Sequence, residues 1–347
     1  MVSEENESNK TGRKLKAVIV GIGHQAIKEY VPAVLSSENV ELVGLCDHVN
    51  KGNLDSVGLE FSIPIYTNLS KMLEDTLPDF AIVCVPHCEY KSVIIEIASK
   101  GIHILKEKPL SMNLKEAFEL KRIVAQNKIH LMVTLQRRFN PIYSAFFNLL
   151  DLIGKPFYLE GKYSMFVENP GEGWRGKKES AGGGVIIDMG YHIIDLLIWY
   201  FGLPDFVHAD FSAYAKAMPK YDAEDTASIM FTYTDRKLNG ILSFSRYIPP
   251  KTEQFKIVGR NGRIEIENDR IRRFKNDGQL VETLSHENES LLSGPSQIEY
   301  FCKVVRGESE NHCSVEAQLN NMAFIEACYH SKLLGRYVNV KEVLNGQ

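Results

Sequence analysis

Lys16-Ala-Val-Ile-Val20-Gly21-Ile22-Gly23-His24-Gln25-Ala26 decides the fold. Its first part is an apolar run of the kind that a parallel sheet buries on both faces. The run ends on Gly21 and Gly23, and a helix is expected from there to about Ser37. The spacing is G-x-G-x-x-A, a variant of the dinucleotide-binding fingerprint. Gly21 permits a tight turn, and Gly23 lets backbone amides approach a pyrophosphate at the helix N-terminus. Ala26 stands where a third glycine is usual, so helix and strand pack slightly farther apart. Gly21, Ile22, Gly23, His24 and Gln25 are therefore candidate cofactor contacts.

Val40–Cys46 reads as a second buried strand and ends in Asp47, 24 positions after Gly23 (47 − 23). A carboxylate about 20 residues after the fingerprint accepts hydrogen bonds from ribose hydroxyls and repels a 2′-phosphate. This predicts NAD over NADP, although either His48 or Lys51 can approach a phosphate. Strands and helices go on alternating. Ile63–Tyr66, Phe80–Val85 and Leu131–Thr134 read as strands, and Ser70–Thr76 and Tyr90–Lys100 as helices. Asn113 and Glu116 resemble a capping box for a helix to Asn127. The expected fold of residues 14–134 is a doubly wound Rossmann domain.

At the end of the strand His103–Leu105 come Glu107-Lys108-Pro109. Ligands of open α/β sheets bind outside the carboxyl ends of the strands. Pro109 stops the strand and stiffens the turn, so Lys108 can be aimed into a crevice. Pro86, His87 and Tyr90 fall where nicotinamide would lie. His87 and Tyr90 are equally suited to capping or packing.

Gln136-Arg-Arg138-Phe-Asn-Pro141 begins a second domain, 135–347, of different character. Phe157–Val167, Phe206–Tyr214, Thr226–Tyr233 and Leu238–Phe244 read as strands. Phe255–Val258 and Ile264–Glu267 bracket Asn261-Gly262, and Ile271–Phe274 and Leu280–Thr283 bracket Asp277-Gly278, both hairpin signals. An open, mostly antiparallel sheet is expected, with helices at Pro295–Arg306 and Val315–Leu334. Within this half, Gly182-Gly-Gly184 leads into Asp188, His192 and Asp195, which share one face if the segment is one helix. A carboxylate one turn from an imidazole fixes its tautomer and stabilises the imidazolium.

Composition narrows the function classes. The chain has 347 residues, net charge −4 and no basic block, which argues against nucleic acid and anionic membranes as partners. Residues 1–13 are polar and expected to be disordered, and no run approaches the ~20 apolar residues of a spanning helix. The six cysteines include no Cys-x-x-Cys pair, which fits free thiols in a reducing cytoplasm. Cys84, His87 and Cys88 have no second ligand cluster, so no metal is expected.

Taken together, Gly21-x-Gly23-x-x-Ala26, Glu107-Lys108-Pro109, Arg138-Phe-Asn-Pro141, Trp174-Arg175 and Gly182-Gly-Gly…Asp188-x-x-x-His192 resemble the glucose–fructose oxidoreductase/inositol dehydrogenase (Gfo/Idh/MocA) family from Lys14 onward. The resemblance implies NAD(P)-dependent hydride transfer at a carbinol or keto carbon of a sugar, sugar derivative or cyclitol. It also implies Lys108, Asp188 and His192 as the catalytic set. Trp174 and Arg175 would contact the cofactor, with Glu107 and Gln136 beside it, and Arg138 would stand among the substrate residues. The sequence departs from many members at His87 and Tyr90, where Asn and His are common. Either His192 takes the hydroxyl proton while Lys108 steadies the oxygen, or the two roles are exchanged. Apolar residues on both faces of Ile229-Met-Phe-Thr-Tyr233 suggest a homodimer or homotetramer through the second domain's sheet. A sensor without turnover and an NAD-dependent glycosidase are the alternative functions on this fold.

Overall fold

The computed structural model describes residues 12–213, 221–267, 270–285 and 293–346. The chain divides into two units: Met1–Leu110, Phe118–Gln136 and Leu291–Gln318 form the first, and Ser111–Ala117, Arg137–Ser290 and Leu319–Gln347 the second. The division is therefore not a single cut near residue 135, because 291–318 return to the first unit. Residues 1–11 lie outside the described ones. Arg13, expected to be disordered, is held in place by Asp79 at 2.7 Å.

In the first unit, β1 (Leu15–Val20), β2 (Val40–Cys46), β3 (Ile65–Tyr66), β4 (Phe80–Val83), β5 (His103–Lys106) and β6 (Leu131–Val133) form one parallel sheet in the order β3-β2-β1-β4-β5-β6. This is the expected Rossmann arrangement. All four residues of β4 are buried, as a strand covered on both faces requires. The helix after the glycine loop departs from expectation: Ala26–Tyr30 is wound as a π-helix and Val31–Leu35 as an α-helix. Pro32 has no N–H with which to continue the α ladder. A helix at Lys51–Phe61 was not foreseen. Asn113 caps the helix Leu114–Asn127 by accepting from the Glu116 N–H at 2.9 Å.

The returning segment closes the free edge of the sheet. The Val133 N–H donates to Cys313 O at 2.9 Å, and Asn311 Nδ2 donates to Leu131 O at 2.9 Å. On the helix Ser293–Val305, Phe301 packs edge-on against Phe80 with ring centroids 5.4 Å apart.

The second unit is built on a nine-stranded sheet, ordered β14-β13-β12-β11-β7-β10-β9-β8-β15. Its strands are β7 (Pro156–Phe166), β8 (Phe206–Ser212), β9 (Thr226–Tyr233), β10 (Leu238–Ser245), β11 (Tyr247–Gly259), β12 (Gly262–Glu267), β13 (Arg270–Phe274), β14 (Leu280–Ser285) and β15 (Val338–Asn339). Only β7 and β10 pair in parallel, so the sheet is mostly antiparallel as expected. Tyr214, expected to end a strand, lies outside the described residues. The first hairpin turns at Arg260-Asn261, one residue earlier than expected, with Gly259 opposite Gly262. In β9 buried and open positions alternate, and Met230 faces out at 44% exposure. Among the described residues no single helix is long and apolar enough to cross a membrane.

Candidate functional site

Each unit carries one part of the candidate set. In the first, Gly21 has φ +90°, and a Cβ there would lie 2.8 Å from the backbone of Cys84. No other residue suits that position without strain. A Cβ at Gly23 would meet nothing within 4 Å, so the space beside the loop is open. Asp47 follows β2 and is buried. Its Oδ2 accepts from the Ile22 N–H at 2.7 Å and from Asn50 Nδ2 at 2.9 Å, while Oδ1 accepts from the Val49 and Asn50 N–H groups at 2.8 Å each. Burial opposes ionisation, but the Asn50, Ile22 and Val49 donors prevail and hold its carboxyl below the usual value. About four lone-pair positions exist on a carboxylate. Here four protein donors meet it, so Asp47 fixes the glycine loop.

His24 is exposed, and Gln25 is turned inward to Glu29. Glu29 was not foreseen. Its Oε2 also accepts from Gln136 Nε2 at 2.5 Å. Burial and the nearby charge of Glu107 push its carboxyl up to about 7, against the Gln136 hydrogen bond. Glu107 accepts from the Tyr30 hydroxyl and from Thr134 Oγ1, the latter at 3.0 Å.

Lys108, half-buried, follows β5 at the carboxyl edge of the sheet, the edge that also bears the glycine loop. Its carbonyl accepts from the Tyr90 hydroxyl at 3.4 Å. Pro86 is half-buried. His87 is 3% and Tyr90 2% exposed, and their rings stack at 5.4 Å. The packing role left open by the sequence describes Tyr90 well, since its ring also lies 3.5 Å from the Lys106 ammonium.

Gln136–Phe139, where the chain passes from the first unit to the second, is a 3-10 turn that leads, through Asn140 as cap, into the helix Pro141–Leu150. Arg137 pairs with the half-buried Glu253, which also accepts from the Tyr143 hydroxyl at 3.0 Å. Arg138 grips Asp195 with two bonds, Nε–Oδ2 2.9 Å and Nη2–Oδ1 2.7 Å. Asn321 Nδ2 adds a third at 2.9 Å.

Asp188, His192 and Asp195 do not share one straight helix, as the spacing predicted. Asp188 ends the short helix Val185–Asp188, and Gly190–Phe201 starts afresh, bent by 52° from the stretch Lys178–Asp188. The apolar pattern runs on through the break, so sequence periodicity gives no sign of it. Gly184 precedes the short helix and leaves room for Glu224, whose carbonyl a Cβ would approach to 2.0 Å. Glu224 accepts from the Ile186 N–H at 3.1 Å and from the Tyr329 hydroxyl at 2.9 Å, capping the helix start. Asp188 pairs with the buried Arg246 at 3.0 Å and lies 3.9 Å from Arg175. Arg175 stacks over Trp174 at 4.4 Å. The ring of half-buried His192 lies 6.3 Å from that of Tyr163, whose hydroxyl burial pushes up.

Sequence reasoning missed Glu29, Lys106, Tyr163, Glu224 and Arg246. Lys106 alone carried a sign, a charge inside an apolar strand.

Comparisons with known proteins match both halves of the chain. Residues 15–135 fit the model of an oxidoreductase family with an NAD-binding Rossmann fold, and residues 151–265 fit the GFO/IDH/MocA C-terminal domain. The rhizopine catabolism protein MocA of Rhizobium meliloti is 25% identical over 330 residues, covering 93% of this chain and 96% of that protein. D-apiose dehydrogenase of Paraburkholderia graminis is 23% identical, with 96% and 92% covered. A levoglucosan dehydrogenase, solved with NADH and levoglucosan, has the same fold at TM-score 0.84 and 17% identity, over 94% of this chain and all (100%) of that one.

Proposed function

Because the chain belongs to the Gfo/Idh/MocA family of oxidoreductases, we propose that it is an NAD-dependent dehydrogenase of a sugar, sugar derivative or cyclitol. The observation that carries this reading is one sheet edge bearing both the Gly21–Gly23 loop and the Glu107-Lys108-Pro109 turn. D-apiose and levoglucosan dehydrogenases among the similar proteins support the substrate class.

A dinucleotide fits the first unit, given the open space at Gly23 and the carboxylate at the end of β2. Gly21 to Gln25 would hold it, on the loop that Asp47 fixes. When bound, it supplies the hydride acceptor. Lys108 hydrogen-bonds the substrate oxygen and stabilises negative charge developing there. His192 takes the hydroxyl proton. Asp188, held by Arg246 at 3.0 Å, completes the proposed set. Asp47 favours NAD over NADP through its charge.

The test is a panel of aldoses, polyols, inositols and sugar nucleotides with NAD, followed by NADH absorbance. Lys108→Met and His192→Ala should each lose ~10²–10⁴-fold in turnover. NAD affinity should stay within a few-fold, since both residues act on charge that exists only during reaction. Normal turnover by Lys108→Met would remove the central residue of the reading. Tight NAD binding with no oxidation across the panel would favour a sensor, and aglycone release without net NADH a glycosidase.

A further inference from the structure

Lys106 is the last residue of β5, an interior strand paired to β4 through Val83 and to β6 through Val133. Such a strand is covered on both faces and normally carries apolar residues. Lys106 is fully buried, at 0% exposure. Lysine is almost never buried so completely unless its charge is answered. Part of the answer comes from the backbone. The ammonium donates to Glu107 O at 2.7 Å and to Pro109 O, and it stands 3.5 Å from the centre of the Tyr90 ring. An aromatic face attracts a desolvated cation.

The two carbonyls belong to the residues on either side of Lys108. The carbonyl of Lys108 itself accepts from the hydroxyl of the same Tyr90 at 3.4 Å. Three successive carbonyls, 107 to 109, are thus tied down by one ammonium and one phenol. An apolar side chain at 106 would suit the core at no desolvation cost, but it would leave two of these carbonyls without that donor. Burial of this cation makes sense as a means of fixing the turn.

We propose that Lys106 is a positioning residue: its ammonium bridges the carbonyls of Glu107 and Pro109 and so fixes the turn from which Lys108 is presented. The inference rests on the reading of Lys108 as the residue that meets the substrate oxygen. A turn free to shift by an ångström forfeits on the order of 10² in rate, with little effect on ligands held elsewhere.

The test is Lys106→Met, which keeps the length of the side chain and removes its charge. Amide hydrogen exchange, read by mass spectrometry, should speed up at least tenfold at Glu107 to Leu110 and stay unchanged in the other strands. With NAD and whichever of myo-inositol, D-xylose or D-apiose is oxidised, kcat should fall at least tenfold. KM for NAD should stay within threefold. A protein that merely lost stability would instead exchange faster throughout. Wild-type exchange in the turn overturns the proposal with or without a substrate, and so does wild-type kcat. If Lys106→Met does not fold, Lys106→Gln, which keeps one donor, is held to the same outcomes. Wild-type turnover by Lys108→Met sinks the reading of Lys108. Loss in Lys108→Met, with wild-type exchange and turnover in Lys106→Met, sinks the role of Lys106 alone.

Discussion

Replacing Arg138 with Met separates a structural arginine from a substrate-binding one. The Arg138 side chain is 10% exposed and that of Asp195 3%. Two bonds of 2.9 and 2.7 Å join them, and Asn321 supplies the third donor to the carboxylate. Removing one member of a buried pair leaves the other charge without its counter-ion and costs about 3–5 kcal/mol. Arg138→Met should therefore be destabilised by that amount, and Asp195→Leu similarly. The double variant Arg138→Met/Asp195→Leu removes both charges together and should recover to within about 2 kcal/mol of wild type, because apolar replacement of a whole pair is often nearly neutral. Urea unfolding followed by tryptophan fluorescence is the assay, since the Trp199 ring lies 5.6 Å from the guanidinium. Single-variant losses under about 1 kcal/mol, or a double variant as unstable as the sum of the two, would refute the reasoning. A raised KM for the sugar with unchanged stability would return Arg138 to the substrate.

Isothermal titration should find tighter binding of NAD than of NADP, and Asp47→Ser should narrow the gap while lowering stability, because the Ile22 and Val49 amides lose their acceptor. Glu29 keeps its proton to about pH 7 when folded and releases it near 4.5 when unfolded. The folded state then binds more protons in that window, so stability should fall by roughly 3 kcal/mol as pH rises through it. Glu29→Gln should lack this decline when melting temperatures at pH 5 and pH 8 are compared. Light scattering should show a homodimer or homotetramer, and Met230→Lys with Ile241→Lys should dissociate it. Both side chains are exposed, at 44% and 38%, and they pair across β9 and β10 on the open face of the sheet. A wild-type monomer at micromolar concentration would count against this.

Much of the fold was legible because its strands carry their own instructions. Apolar runs such as Phe80–Val83 have no polar face to show, which marks them as interior parallel strands. The two hairpins were visible through Asn261-Gly262 and Asp277-Gly278. By contrast, β11 extends back to Tyr247 through a polar, proline-containing stretch that pairs only by virtue of its neighbour β7. Local geometry was legible where it sits on a local motif, as at the tight turn of Gly21 and the end of β2 at Asp47. The site was illegible where partners come from far along the chain. Arg246 lies 58 residues from Asp188, and Glu224 lies 38 from Ile186. No periodicity links such positions. Asp47 shows both cases: its bonds to Val49 and Asn50 are turn chemistry, and its bond to Ile22 is tertiary.

The return of residues 291–318 to the first unit has a consequence for how the chain is made. Asn311, which seals Leu131 at the edge of β6, lies 180 residues downstream of it. At synthesis rates of roughly 5–20 residues per second, that edge waits about 10–40 s for its cover while the second unit is being translated. During that interval β6 offers unpaired amides and carbonyls, the template on which nascent chains mispair. Its brevity, three residues from Leu131 to Val133, limits the exposure. The Rossmann unit is thus begun before the second unit and completed after most of it. Messages cut short before the codon for Asn311 would release it with that seam open.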